Sequence, residues 1–216
     1  MSRCRISPGL AVLAALALAA CAPAPGKGLF KRQPDPTAGI PEPTSGRYLA
    51  LQQVQAPALQ VVVEDRSQRD LMLFSHRLDG VELWYGRDGV QLGLRDGMLA
   101  YTRGIGGDLM AADTRQSHAL LASGQSGTAK RFHSHLNGND QIETDSYICD
   151  IRRVQDFSLA IGEARVPTWY MVETCHGPDL IFENYYWVDR RSGVIQQSRQ
   201  LANPFSGRVA FQRVLS

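Results

Sequence analysis

Three Asp-Gly pairs, at 79–80, 88–89 and 96–97, each sit between two short apolar runs. Both residue types tolerate the positive φ that a type I′ turn demands, so each pair predicts a hairpin of antiparallel strands. The runs they separate are DLMLFSHR (70–77), VELWYG (81–86), VQLGL (90–94) and MLAYTRG (98–104), preceded by LQVVVE (59–64). The second half continues with longer runs: AKRFHSHL (129–136), QIETDSYICDI (141–151), VQDFSLAIGE (154–163) and TWYMVETCH (168–176). LIFENYYWVDR (180–190), VIQQSRQLA (194–202) and RVAFQRVL (208–215) complete it, with NGND (137–140) and RRSG (190–193) as turns. Helical candidates are brief, near DLMAAD (108–113) and SHALLAS (117–123). So many strands with almost no room for crossover helices require an antiparallel sheet, and a sheet that wide curls into a barrel or folds over as two layers. The expected class is all-β: about a dozen mostly antiparallel strands in a strongly curved sheet or barrel-like sandwich, with one or two short helices. No internal repeat is visible.

The amino-terminal segment follows different rules. Arg3 and Arg5 precede an apolar run from Leu10 to Ala20 that is too short to span a bilayer, the layout of a secretory signal. Its end, Leu18-Ala19-Ala20-Cys21, resembles the lipobox of bacterial lipoproteins, in which the signal is cut before a cysteine that then carries lipid. Residues 1–20 are therefore expected to be removed and Cys21 to be the attachment point. From Cys21 the chain is rich in proline, with six of its eleven prolines between Cys21 and Pro43, and it shows no apolar periodicity. Residues 21–46 read as a tether, whose stretch from Cys21 to Pro43 could reach on the order of 70 Å if fully extended, and 47–216 as a single β domain.

Processing changes the charge and the cysteine count. Cleavage before Cys21 leaves 196 residues and removes two of the 23 basic residues and none of the 21 acidic ones, so the mature chain is formally neutral. A nucleic-acid partner, which needs a clustered basic surplus, is not expected. Cys4 leaves with the signal and Cys21 takes lipid, so Cys149 and Cys175 remain. In an oxidising compartment a leftover pair is most simply a disulfide, with two separate buried thiols as the rival.

Three further stretches carry a resemblance. LRDGMLAYTRGIGGDLMAAD (94–113), RFHSHLNGND (131–140) with the cysteine of SYICD, and VETCHGPDLIFENYYWVDRRSGVIQQSRQ (172–200) together look like the YjbF, or GfcB-like, family of lipoproteins. One departure is Leu201, where members often have an aromatic residue after SRQ. The resemblance implies a non-enzymatic accessory role in assembling or exporting an extracellular or capsular polysaccharide. It implies as partners a large outer-membrane β-barrel protein, other periplasmic secretion proteins and the glycan itself. Ala22, which is not the aspartate that holds many lipoproteins in the inner membrane, implies delivery to the outer membrane, facing the periplasm.

Each candidate site has a plainer role beside its functional one. His133 and His135 share a strand face, a spacing that suits a metal, but no third ligand is marked and neither a metal nor a cofactor is expected. Asp108 and Asp113 could be imagined as a glycosidase acid and base, with capping of a helix start as the bland role for Asp108. No Gly-x-Ser-x-Gly elbow or phosphate loop is present, and no catalytic residue is assigned. Alternation puts Tyr185 and Trp187 on one face of a strand with further aromatics on the other, so the strand is either covered on both sides or exposes a stacking surface. Arg103, Asp108, Asp113, Tyr185 and Trp187 are the candidate glycan or partner contacts. A polysaccharide-modifying periplasmic enzyme is the alternative function, and a carrier enclosing an acyl chain inside the curved sheet is a third idea.

Overall fold

Two of the three Asp-Gly pairs make the turn their sequence predicts. Asp79 and Gly80 have φ of 49° and 79°, and Asp96 and Gly97 have 53° and 81°, the paired left-handed values of a type I′ turn. At the third pair only Gly89 is left-handed, and the loop closes through the Gly86 N–H donating to the Val90 carbonyl at 2.8 Å.

The computed structural model describes Ile40, residues 46–66 and residues 68–215. Residues 1–20, expected above to be a signal, Cys21 and nearly all of the expected tether therefore lie outside the described residues. The first half contains helix α1 (Gly46–Gln53) and strands β1 (Ala58–Val63), β2 (Gln68–Leu78), β3 (Val81–Tyr85), β4 (Gln91–Arg95) and β5 (Met98–Arg103). Then come β6 (Leu109–Asp113), helix α2 (Arg115–Ala122), β7 (Gly127–Leu136), β8 (Ile142–Ile161) and β9 (Ala164–His176). The chain ends with β10 (Ile181–Asp189), β11 (Ile195–Asn203) and β12 (Gly207–Leu215). Among the described residues no helix is long and apolar enough to cross a membrane.

All twelve strands form one antiparallel sheet in the order β5-β4-β3-β2-β1-β12-β11-β10-β9-β8-β7-β6. Every strand pairs with its chain neighbour except at the β5–β6 junction, and β1 pairs with β12. The two edge strands are consecutive in sequence and lie against each other, so the sheet is a nearly closed barrel. Such curling solves the edge problem that twelve flat strands would create.

Two local expectations need correction. DLMAAD is strand β6, paired with β7, and not a helix. Its alanine, leucine and methionine favour a helix, but pairing with the free edge of β7 outweighs that weak preference. The runs at 141–151 and 154–163 are one long strand, β8, with a bulge between Arg153 and Gln155. The bulge reverses the in-out alternation and makes one strand look like two.

The barrel interior is filled. Leu59, Val61, Trp84, Leu92, Met171, Tyr186 and Phe211 belong to one continuous buried cluster drawn from strands all round the sheet. Each fully buried side chain of this size contributes roughly 1.5–3 kcal/mol. This packing argues against an acyl-chain carrier, which needs an open lumen. Outside, α1 lies over β1 and β2, with Tyr48 and Leu51 against Ala58 and Leu71. The far half of the β8–β9 hairpin folds back over β10, where Leu159 and Phe157 cover Tyr170, Val172, Tyr185 and Trp187. The Gln212 side chain in β12 donates to the Ala160 carbonyl at 3.0 Å and ties this flap down.

Candidate functional site

In an antiparallel meander the loops alternate between the two barrel ends. The β5–β6, β7–β8 and β11–β12 connections therefore meet at one end, and two of them carry segments of the YjbF resemblance. The first is the glycine-rich Arg103-Gly104-Ile105-Gly106-Gly107-Asp108 loop across the open seam. Asp108 organises it: its carboxylate accepts from the Thr102 hydroxyl (3.0 Å), the Gly104 N–H (2.9 Å) and the Ile105 N–H (3.2 Å). The Thr102 hydroxyl in turn accepts from the Leu109 N–H at 2.9 Å. Arg103 donates to the Thr102 carbonyl at 2.7 Å and stacks over Tyr101 at 5.2 Å. Side chains thus lace β5 to β6 where the backbone ladder is missing.

The β11–β12 turn, Asn203-Pro204-Phe205-Ser206, is bolted to that loop. Asn203 Oδ1 accepts from the Phe205 and Ser206 N–H groups at 2.7 and 2.8 Å. The Ser206 hydroxyl lies 2.9 Å from the Gly107 carbonyl and 3.2 Å from that of Ile105, with one proton to share between them. Gly107 permits this approach, since a methyl group there would lie 2.8 Å from Ser206 Oγ and 2.9 Å from the Phe205 ring.

Between these parts lies a cleft of about 460 Å³. One wall is Gly107, Asp108 and Met110; the second is His135, Leu136, Asn137 and Gly138; the third is Asn203, Pro204 and Phe205. Phe205 is 78% exposed and Leu136 46%. The β7–β8 wall is polar behind Leu136: Asn137 donates to Glu143 at 3.1 Å, and His135 lies 3.8 Å from Glu143 and 3.7 Å from Asp145. At the opposite barrel end a second cleft, of about 490 Å³, is lined by Arg77, Glu82 and Arg213 among others. Its two arginines are already spent on one carboxylate, with Arg77 and Arg213 at 2.7 and 2.8 Å from Glu82.

The residues singled out in the sequence scatter. Asp108 lines the cleft, but its oxygens serve the loop and not a helix start. Asp113 sits at the far end of β6, about 16 Å along an extended strand, held by Arg115 at 2.6 Å; that hydrogen bond lowers its carboxyl pKa. That span exceeds the separation of a glycosidase pair. Tyr185 and Trp187 are 3% and 0% exposed beneath the β8–β9 flap, so neither ring is presented as a platform. The strand that holds them is the one covered on both faces. Cys149 and Cys175 are joined across β8 and β9. Phe205 and Asn203 were missed; the signal available was an aromatic residue set inside the turn-forming run Asn-Pro-Phe-Ser-Gly.

His133 belongs to a buried network instead of a metal site. Its Nε2 accepts from Arg131 Nε at 2.7 Å, which uses the lone pair a metal would need. Burial, then the Arg131 charge, lower its pKa well below the usual histidine range. Arg131 and Glu173 are both fully buried and 2.8 Å apart. Glu173 Oε2 also accepts from the Tyr186 hydroxyl and Asn184 Nδ2, each at 2.8 Å. Burial and the Glu173 charge raise the Tyr186 pKa. Cys149, Cys175 and Glu173 lie close enough to suggest a metal-ligand group, but both sulfurs are committed to the disulfide.

Comparison with known proteins bears on the fold and the family. No curated protein matches the chain significantly. The crystal structure of the hypothetical lipoprotein YmcC from Escherichia coli K12 superposes with a TM-score of 0.66 at 17% identity, over 78% of this chain and 89% of that one. At that identity the likeness is one of fold. The model of the YjbF family, described as group 4 capsule polysaccharide lipoprotein gfcB, matches residues 42–214. With a match over almost the whole β barrel, the chain belongs to the YjbF family of capsule polysaccharide lipoproteins.

Proposed function

We propose that this chain is a non-enzymatic, lipid-anchored accessory protein in the assembly or export of a capsular or extracellular polysaccharide. It is held on the outer membrane through Cys21, faces the periplasm, and acts by binding an outer-membrane β-barrel partner or the glycan. The observation that carries the proposal is the YjbF family match over residues 42–214, with a lipobox-like Leu18-Ala19-Ala20-Cys21 upstream. The fates of the candidate catalytic groups support binding over turnover: Asp108 is consumed by its loop, Asp113 by Arg115, and His133 by Arg131.

The test is genetic. Deleting the gene lowers the amount of secreted polysaccharide, and the wild-type gene on a plasmid restores it. Cys21→Ala fails to restore it, because stable anchoring takes more than one acyl chain and a domain with none drifts free. Unchanged secretion in the deletion strain contradicts the role, and full rescue by Cys21→Ala contradicts the anchoring.

A further inference from the structure

The open-end cleft has an unusual wall. Large apolar side chains left mostly in water are common one at a time on protein surfaces. Phe205 stands out by its setting. Its own N–H and that of Ser206 are held by Asn203, the Ser206 hydroxyl is pinned to the glycine-rich loop, and its ring lies against Gly107. The backbone beneath the ring is held, and the ring is still 78% exposed.

Facing chemistry suits that ring to a particular ligand. The cleft volume of about 460 Å³ falls within the roughly 300–1,000 Å³ typical of small-ligand sites. A sugar ring has an apolar C–H face and a rim of hydroxyls. An aromatic face takes the first, and amide, imidazole and carboxylate groups take the second. Here His135 and the Nδ2 of Asn203 line the cleft with Phe205, the Asp108 oxygens being spent on their loop, and Glu143 and Asp145 stand behind His135. The carboxylates outnumber any cation lining the cleft, so an acidic sugar is disfavoured against an uncharged one. We infer that the cleft between Phe205, His135 and Gly107 binds an uncharged stretch of polysaccharide, with the Phe205 ring stacked on a sugar face. This inference rests on the polysaccharide role proposed above and adds to it the binding site and the ligand class.

The experiment uses the full lipidated protein in detergent micelles. The probe is a set of oligosaccharides released by partial hydrolysis from the polysaccharide that the same cells secrete, with binding followed by titration calorimetry. Wild type binds; Phe205→Ala weakens binding by about tenfold or more, the scale of one lost aromatic contact; Phe205→Tyr stays within about threefold of wild type by the same measure. Oligogalacturonate, an acidic control, does not compete. Absence of binding by the wild type, or equal binding by Phe205→Ala, overturns the inference. So does a Phe205→Ala protein that keeps the glycan but no longer pulls down an outer-membrane barrel protein, since the ring would then serve a protein partner. None of these results touches the deletion phenotype, so failure of the cleft and failure of the secretion role are told apart.

Discussion

Arg131 and Glu173 face each other in the barrel interior with neither side chain reaching water. A buried pair adds little net stability when intact, but removing one partner strands the other charge, at a cost of about 3–5 kcal/mol. Glu173→Gln, which keeps the shape, is expected to lower the unfolding free energy by that amount in urea titrations at neutral pH; a loss below about 1 kcal/mol contradicts the pairing. His133 gives the network a pH dependence of definite sign. Its native pKa is depressed by burial and by Arg131, so as pH falls below about 6.5 the unfolded chain takes up the proton first. The stabilisation is complete above that pH. It is lost at about 1.4 kcal/mol per pH unit below it, until the native pKa is reached. His133→Asn removes this slope, measured as the difference in unfolding free energy between pH 7.5 and 5.5 for the two proteins. The sequence marked His133 through its spacing to His135, but alternation says only that two residues share a face. The partner that decides the chemistry, Glu173, is 42 residues away from Arg131 in the chain, and nothing local announces it.

Among the elements, strands bounded by turn residues were legible and strands defined by their neighbours were not. The hairpins at Asp79-Gly80 and Asp96-Gly97 follow from residues that accept positive φ. Strand β6 reads as a helix because its identity comes from pairing with β7, and β8 reads as two strands because of its bulge. Alternation leaves two readings for Tyr185 and Trp187, and the cover that decides between them is a flap from the β8–β9 hairpin. The disulfide belongs to this scale as well, since Cys149 and Cys175 are directly paired across β8 and β9. Closing a loop of 26 residues is worth about 3–4 kcal/mol in the chain-entropy account. Thiol labelling of the unfolded, unreduced protein is expected to find neither cysteine free. Reduction is expected to lower the urea midpoint, and an unchanged midpoint contradicts a stabilising bridge.

At the scale of the whole molecule, the antiparallel pairing of about a dozen strands and their strong curvature were readable, whereas the contacts that close the barrel were not. Closure depends on β1 meeting β12 and on a seam between β5 and β6 laced by Asp108, Thr102 and Arg103. Asp108→Ala leaves the Gly104 and Ile105 N–H groups without their acceptor, at a cost of about 1–3 kcal/mol if they stay buried. Residues 98–113 should then exchange their amide hydrogens faster than the rest of the sheet; uniform exchange contradicts a seam held by that carboxylate. The same residue separates the two accounts of function, because an accessory protein needs its shape and its anchor while an enzyme needs its carboxylates. The deciding measurement is the secreted polysaccharide of a deletion strain carrying an Asp108→Asn, Asp113→Asn double variant, expressed to the wild-type level by immunoblot. Restoration close to the wild-type amount is the predicted result, and secretion as low as in the deletion strain would contradict the account.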